Sequence, residues 1–317
     1  MQEVAERLVA KGHEVTVVCE RQRAHDESMS NVEGITVQYL FLVRRASSKN
    51  FRIWLALLQR ARLFATADIV HIHDVFVWYV PLRFLLFFKP VFTTFHGYEG
   101  VYPPAKKAVL LRRLSAALSK KTIEVGAYIA TWYGTKPDVI VYGGATYLIT
   151  TPPPMLPKKT LRIAFIGRLA KDIGVKHYIK FFSILKKKHI THTVEIYGDG
   201  PMKKSMQHYG TLHGIVSETL DAVKNADLVC ASSYLSIIDA LSFGRPVIAL
   251  YGNPLKQQYL EEFPLRKYIV VANNPQKALE DYTNLMKHWD AVQVARETQN
   301  TFSWDSVVKT YRSIWKK

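Results

Sequence analysis

The chain has 317 residues, 48% of them apolar and 22% charged, with 16 glycines and 14 prolines; it is long enough for two domains and is not a disordered, collagenous or coiled-coil protein. Its two cysteines, Cys19 and Cys230, form one bridge at most and fit a reducing compartment better than a disulfide scaffold. Against 26 Asp and Glu stand 43 Lys and Arg, a net charge of +17 spread over both halves, which favours anionic partners, while the lack of zinc-finger, basic-heptad or RNP-like patterns sets nucleic acid aside.

In chain order, Gln2–Ala10 reads as a helix with Val4, Ala5, Leu8 and Val9 on one face and Gly12 near its C-cap. The first eighteen residues mix charge with apolar groups at helical spacing, so they are not a signal peptide. Strands follow at Glu14–Cys19, Ile35–Phe41, Ile69–Ile72, Val91–Phe95, Ala127–Ala130 and Val139–Val141, with helices at Phe51–Phe64, Val77–Phe88 and Ala105–Ala117. Short strands alternating with longer helices predict a mostly parallel sheet covered on both faces. Phe76–Phe92 is the nearest approach to a membrane span, but Pro81, Arg83, Lys89 and Pro90 interrupt it. It reads either as a short core helix with one snorkelling arginine or as an interfacial helix touching a membrane.

Thr150–Thr160 carries four prolines in 11 residues and reads as a stiff connector. The α/β pattern then restarts, with strands at Leu161–Phe165, Thr193–Tyr197, Leu228–Ala231 and Val247–Leu250 and an apolar stretch near Leu212–Val216. Helices are expected at Val175–Leu185, Pro201–Tyr209, Thr219–Asn225 and Ile237–Ser242. The last run, Phe302–Trp315, places Phe302, Val307, Val308, Tyr311 and Ile314 at helical spacing and must find an apolar surface. Doubly wound domains usually open with a strand. This chain opens with a helix, so either the sheet lacks that strand or upstream sequence is missing.

Three strand ends carry chemistry. Ile163-Ala164-Phe165-Ile166-Gly167 leads to Arg168, placed at the carboxyl edge of a sheet, where a guanidinium meets a two-oxygen anion; a surface or interdomain salt bridge is the rival. Tyr197-Gly198-Asp199-Gly200-Pro201 allows close backbone approach, and Asp199 either caps a helix or meets substrate. Cys230 to Leu241 runs from a strand through Ser232 and Ser233 into a helix whose first turn offers backbone N–H groups to a phosphate. Asp239, three residues beyond Ser236, either accepts ribose hydroxyls or completes a capping box with Ser236 as N-cap. His71, His73 and Asp74 end one strand and His96 the next. The two histidines point apart if the strand twists or ends between them, no fourth ligand is indicated, and no metal is expected. His96, beside Gly97, is the candidate for touching a sugar, against a purely structural hydrogen bond.

Taken in order, AERLVAKGHEVTVV, DIVHIHD, FHGYEG, YGTKPDVIVYGG, AFIGRLAKDIGV, IYGDG, LVCASSYLSIIDALSFGRPVIAL and a final helix after FSW cover nearly the whole chain. With these motifs the sequence resembles the retaining glycosyltransferases of the GT-B fold, in particular the large fourth family. The resemblance implies an α/β protein of two Rossmann-like domains facing across a cleft: an acceptor-side domain over 1–150, with the helix of 302–317 packing back on it, and a nucleotide-sugar-binding domain over 151–301. It implies catalytic roles for His96 and Arg168, the latter on the donor diphosphate. The backbone from Ser233 through Tyr234, Leu235, Ser236 and Ile237 would cradle that diphosphate, Gly198 would allow its close approach, Ile215 would meet the nucleobase through its backbone, and Asp239 would hold the ribose in place of the family's glutamate.

The implied reaction moves a hexose from a UDP- or GDP-linked donor to a hydroxyl acceptor with retention, by front-face transfer assisted by the leaving phosphate, without cofactor or metal. The basic surface and Phe76–Phe92 add an expected peripheral contact with anionic membrane, at the cytoplasmic face of the cell membrane, in cell-envelope glycan synthesis. No motif encodes the acceptor: lipid-linked sugar, polysaccharide and small metabolite all fit. Three departures stand beside the match. Ile173 replaces a lysine that would be a second cation for the diphosphate, with Lys171 or Lys176 as substitutes the motif does not license. Ala231 replaces the first glutamate, and the opening strand with its double-glycine loop does not precede Gln2. They support a second reading, a degenerate or truncated sugar-nucleotide-binding protein without transferase activity.

Overall fold

A computed structural model describes residues 1–20, 29–40, 49–153 and 159–316. The N-terminal half begins with α1 (Gln2–Ala10), whose Val4, Ala5 and Leu8 are buried, and continues with β1 (Thr16–Glu20), β2 (Met29–Val32) and β3 (Ile35–Leu40). These strands form one sheet in the order β1-β3-β2, with β1 parallel to β3 and β2 antiparallel to it. The β2 strand was not expected, because Met-Ser-Asn-Val lacks an apolar face and is mostly exposed.

Next come α2 (Lys49–Leu58), α3 (Ala61–Thr66), β4 (Val70–His73), α4 (Phe76–Leu85), β5 (Val91–Phe95), α5 (Lys106–Leu118), β6 (Lys121–Val125), α6 (Tyr128–Tyr133) and β7 (Val139–Val141). The strands β4-β5-β6-β7 form a second, wholly parallel sheet in chain order. The expected single helix over Phe51–Phe64 is two helices broken around Gln59 and Arg60. The expected strand at Ala127–Ala130 is instead the start of α6, and the strand is β6, six residues earlier. The charged Lys121 and Glu124 disguised it: Glu124 is fully buried within β6 and accepts the Thr135 hydroxyl proton.

The C-terminal half holds β8 (Leu161–Ile166), α7 (Val175–Lys187), β9 (His192–Tyr197), α8 (Lys203–Met206), β10 (Thr211–Gly214), α9 (Leu220–Asn225), β11 (Leu228–Cys230), α10 (Tyr234–Ser242) and β12 (Val247–Leu250). It ends with α11 (Pro254–Glu261), β13 (Ile269–Ala272), α12 (Pro275–Met286), α13 (Ala291–Thr301) and α14 (Trp304–Trp315). Six parallel strands run in the order β10-β9-β8-β11-β12-β13. The chain therefore winds outward one way from β8 and the other way from β11, which makes the gap between the carboxyl ends of β8 and β11 the switch point where such sheets bind ligands. The expected helix over Pro201–Tyr209 shrinks to α8, and the residues from 254 to 301 held elements with no expectation attached. Their signals are local: Asn253 and Asn274 cap helices that begin with Pro254 and Pro275, and Asp290 caps α13. Residues 154–158 of the proline-rich connector lie outside the described residues.

Helix α14 returns to the N-terminal half. Its Val307, Val308, Tyr311 and Ile314 pack with Val4 and Leu8 of α1 and with Phe92 and Ile123 of β5 and β6. A larger core crosses between the halves, joining Phe95, Tyr128 and Tyr133 to Tyr234, Ile237, Tyr259, Phe263 and Phe302.

Candidate active site

The carboxyl ends of the strands of both halves meet. Gly126, after β6, lies so close to Tyr234 that a Cβ would sit 2.7 Å from its hydroxyl, and one on Gly143, after β7, would sit 2.6 Å from Leu235. From the loop after β5, the Tyr98 hydroxyl donates to the Asp172 carbonyl at 3.4 Å. Trp132 on α6 donates to Gln258 on α11 at 2.8 Å. The first turn of α10 and the loop after β8 thus face the ends of β5, β6 and β7.

On the C-terminal side, Arg168 follows Gly167 directly after β8. Its guanidinium is more than half exposed and pairs with Asp172, four residues on. Gly198 is required where it stands: with φ at 145°, it brings its backbone so near β8 that a Cβ would meet the Gly167 carbonyl at 1.9 Å. The Asp199 carboxylate accepts from the Gly200 N–H at 2.8 Å and does not cap α8. Ile215, next to Gly214, is strongly exposed; the Gly214 carbonyl accepts from the Gly198 N–H at 2.7 Å. Beside it, His213 stacks on Tyr197 at 4.5 Å. The edge strand thus brings Gly198 and Ile215 together.

Helix α10 begins earlier than its expected start at Ile237, with Ser233 rather than Ser236 as N-cap. The Ser233 hydroxyl donates to the Ser236 hydroxyl at 2.9 Å, so no capping box with Asp239 forms. The Tyr234 N–H donates to the Tyr259 hydroxyl at 2.7 Å and the Ile237 N–H to the Ser233 carbonyl at 3.0 Å. Leu235 and Ser236 are left as the first-turn N–H groups without a partner among the described residues, positioned for an anion. Asp239 is buried, and its carboxylate accepts the Thr146 N–H at 3.0 Å; burial pushes its pKa up to about 6 against the pull of that hydrogen bond.

On the N-terminal side the three histidines form one stack. His71 and His73 share a face, as alternate residues of a strand do, with ring centroids 4.8 Å apart, so the expectation that they point apart is not met. His73 Nδ1 and His96 Nε2 are 2.7 Å apart, and the Asp74 carboxylate accepts the His96 N–H at 2.8 Å. Trp315 on α14 donates its indole N–H to His71 Nδ1 at 3.0 Å, which leaves His71 Nε2 as the protonated nitrogen facing the Thr94 hydroxyl at 2.8 Å. Burial first, and the neighbouring imidazoles second, hold His71 down to about 3 and His73 well below its usual value. Burial also lowers His96. Neutral imidazoles suit a hydrogen-bonded stack better than a charged cluster. Among the described residues no group of three or more His, Cys, Asp or Glu could hold a metal ion.

Of the substitutes for the lysine absent at Ile173, Lys171 and Lys176 are both exposed. Sequence reasoning missed Asp172, Thr146, Tyr259 and Lys256, which contact the predicted residues or lie beside them. None carries a motif of its own, although the Asn253-Pro254 helix start was there to be read.

Two parallel α/β halves joined at their strand ends, with an arginine and a helix start flanking a switch point, define a GT-B fold. The sequence matches Glycosyltransferase Family 4 over residues 1–122 and Glycosyl transferases group 1 over residues 160–288. The chain belongs to these glycosyltransferase families, whose enzymes use a nucleotide-sugar donor. Its fold is similar to that of a glycosyltransferase from Rickettsia africae ESF-5, with 16% identity, a TM-score of 0.68, and 99% of this chain and 93% of that one covered. It is also similar to Anabaena Alr3699/HepE, crystallised with UDP and glucose, at 12% identity and a TM-score of 0.67, covering 90% of this chain and 87% of that one. WaaG, a glycosyltransferase involved in lipopolysaccharide biosynthesis, matches at 14% identity and a TM-score of 0.63, covering 99% and 94%. No curated protein matches the sequence.

Proposed function

We propose that the protein transfers a hexose from a UDP- or GDP-linked donor to a hydroxyl acceptor with retention at the anomeric carbon. The observation that carries this reading is the meeting of Arg168 and the α10 start with the strand ends that bear His96. In this reading residues 151–301 hold the donor, and residues 1–150 with the helix of 302–317 present the acceptor. Arg168 and the free N–H groups of Leu235 and Ser236 supply positive potential where the departing diphosphate gains charge. The backbone at Ser233, Tyr234 and Ile237 shapes that cradle, Gly198 allows the close approach of the diphosphate, and the backbone at Ile215 borders the nucleobase. Asp239 takes the ribose hydroxyls, exchanging its Thr146 contact for them. The bond from the sugar's anomeric carbon to the phosphate oxygen breaks, the acceptor oxygen bonds to the same face, and its proton passes to the leaving phosphate. His96 borders the sugar, with its tautomer set by His73. Side chains and backbone dipoles neutralise the diphosphate, so the reaction calls on no metal.

The proposed acceptor is lipid-linked or a polysaccharide of the cell envelope, as the involvement of WaaG in lipopolysaccharide biosynthesis suggests. Exposed Phe84, Leu85, Phe87 and Phe88 at the end of α4 lie on the same half as exposed Leu110 and Leu114 of α5, among Lys89, Lys106 and Lys107. Arg83 does not snorkel freely: it donates to the Leu118 and Phe87 carbonyls at 2.9 and 3.0 Å and holds the aromatic turn outward. Exposed aromatics on a basic half suit peripheral contact with an anionic membrane, at its cytoplasmic face. Among the described residues no helix is long and apolar enough to cross a membrane.

The test is incubation with UDP- and GDP-hexoses and candidate acceptors, following nucleotide release and the anomeric configuration of the product by NMR. The expected product keeps the donor's configuration, and Arg168→Ala weakens nucleoside diphosphate binding about ten- to a hundredfold, the equivalent of one charge-assisted hydrogen bond. An inverted product overturns retention. Donor binding with no transfer to any acceptor would favour a sugar-nucleotide-binding protein without transferase activity, the reading that Ile173 and Ala231 support.

A further inference from the structure

Lys256 sits in the first turn of α11 and is 3% exposed. Its Nζ lies 3.6 Å from the centroid of the Tyr259 ring and, among the described residues, makes no hydrogen bond or ion pair. The carboxylate that acts on it most strongly, Asp172, is already held by Arg168. Two cations therefore share one carboxylate at the end of β8, and the buried one has only an aromatic face. An ammonium largely removed from water, with no acceptor among the described residues, is costly, and sites that tolerate such a cost are commonly ligand sites.

The surroundings point to the ligand. The hydroxyl of the same Tyr259 ring accepts the Tyr234 N–H at 2.7 Å, so Lys256 stands one phenol ring from the start of α10. Tyr128 of α6 lies edge-on to Tyr259 at 5.0 Å, and its own hydroxyl is buried with no hydrogen-bond partner. Tyr98 reaches Asn253, the cap of α11, from the loop after β5. Lys256 is thus enclosed where the two halves meet, between Arg168 and the phosphate-facing turn.

We propose that Lys256 is the second cation of the donor site, contacting the diphosphate of the nucleotide sugar in place of the lysine that Ile173 displaces. The assignment rests on the donor site described under the proposed function. The position is unrelated in sequence to Ile173: it lies on α11, beyond β12. A dianion there gives both cations a partner and frees Arg168 from Asp172. Burial lowers the Lys256 pKa to about 7, with Asp172 opposing that shift and Arg168 adding to it. Bound diphosphate raises it again, so binding at pH 8 takes up a proton. The other charged or titratable groups facing this region are Arg168 and Asp172 after β8, Tyr98 after β5, Tyr128 on α6, Tyr234 on α10, and His177 of α7, which lies against Gly252.

The experiment is calorimetric titration of UDP and of GDP into wild type, Lys256→Met, Lys256→Gln and Arg168→Ala, at pH 6.5 and 8.5, in buffers of different ionisation enthalpy. Wild type is expected to bind more weakly at pH 8.5 and to take up protons there. Both Lys256 variants should bind at least tenfold more weakly at pH 6.5, lose most of the pH dependence and take up fewer protons, while Arg168→Ala binds weakly but keeps both signatures. The diphosphate's own titration is common to all four proteins and cancels in the comparison. Lys256→Met removes a buried charge and should melt no lower than wild type; Lys256→Gln covers the case in which it does not fold. Wild-type affinity and proton uptake in either folded variant, with Arg168→Ala impaired, overturns the assignment and leaves the donor site standing. Failure of wild type to bind either diphosphate overturns the donor site and the assignment with it.

Discussion

In the C-terminal half six strands hydrogen-bond into one parallel sheet, and β11, β12 and β13 bury every residue they contain. In the N-terminal half β1 is only half-buried along its length, and its sheet shares no ladder with β4–β7 among the described residues. The contrast separates two jobs. Strands buried on both faces hold their ends still, and the ends of β8 and β11 carry Arg168 and the α10 start. The other half borrows cover from α14, a helix that comes only after the C-terminal half in the chain, so its packing depends on the far end of the chain.

The largest effect expected from this contrast is in the cores. Phe165 in β8 is fully buried and meets the Tyr178 ring edge-on at 5.1 Å. Phe165→Ala should cost about 3 to 5 kcal/mol, whereas Val17→Ala in the half-buried β1 should cost about 1 kcal/mol. Urea denaturation of the two variants decides it. Equal losses would show that β1 is as firmly packed as β8 and would remove the contrast.

The same contrast explains what the sequence let a reader see. Several strands of the C-terminal sheet are apolar runs such as Val247–Leu250, and a run that is buried on both faces announces itself. Arg168 and the α10 turn were legible because they directly follow such runs. β6 was not, since a buried Glu124 reads as a surface residue until Thr135 is seen beside it. Lys256 was hidden for the same reason: a lysine on a short polar helix looks like solvent-facing charge, and only its burial and the Tyr259 ring against its Nζ show otherwise. The partners of Asp239 and His71 lie 93 and 244 residues away in the chain, at Thr146 and Trp315, and no local pattern reports such pairs.

A smaller effect probes the borrowed helix. The Tyr311 hydroxyl on α14 and the Thr94 hydroxyl on β5 are 2.9 Å apart and buried. Tyr311→Phe keeps the ring stacked on His71 at 4.9 Å and removes one hydrogen bond, so it should cost about 0.5 to 1.5 kcal/mol. If the N-terminal half relies on α14, hydrogen exchange should quicken in β4 and β5 and stay unchanged in β11 and β12. Uniform quickening across both sheets would mean that the halves unfold as one unit and that α14 has no special hold on the first.

The last effect is a difference in sign between the halves as pH falls. His71 titrates at about 3 and His73 well below 6.5 in the folded chain, so between pH 6.5 and 3 the unfolded chain binds protons that the folded chain refuses, and stability is lost as pH falls through that window. Asp239 behaves oppositely: its pKa is about 6 when folded against 3.8 ordinarily, so between pH 6 and 4 the folded chain holds a proton that the unfolded chain lacks, and stability is gained as pH falls. Two histidines outweigh one aspartate, and the wild type should be less stable at pH 5 than at pH 7. Each site contributes at most one proton, or about 1.4 kcal/mol per pH unit. His71→Gln should therefore flatten the decline and Asp239→Asn should steepen it, as read from urea midpoints at the two pH values. If Asp239→Asn flattens the decline instead, the carboxylate is ionised at little cost in the folded chain and the Thr146 contact is stronger than burial. If His71→Gln leaves the slope unchanged, the imidazole already finds a proton in the fold, and the neutral stack beside His96 is not the state that the indole of Trp315 enforces.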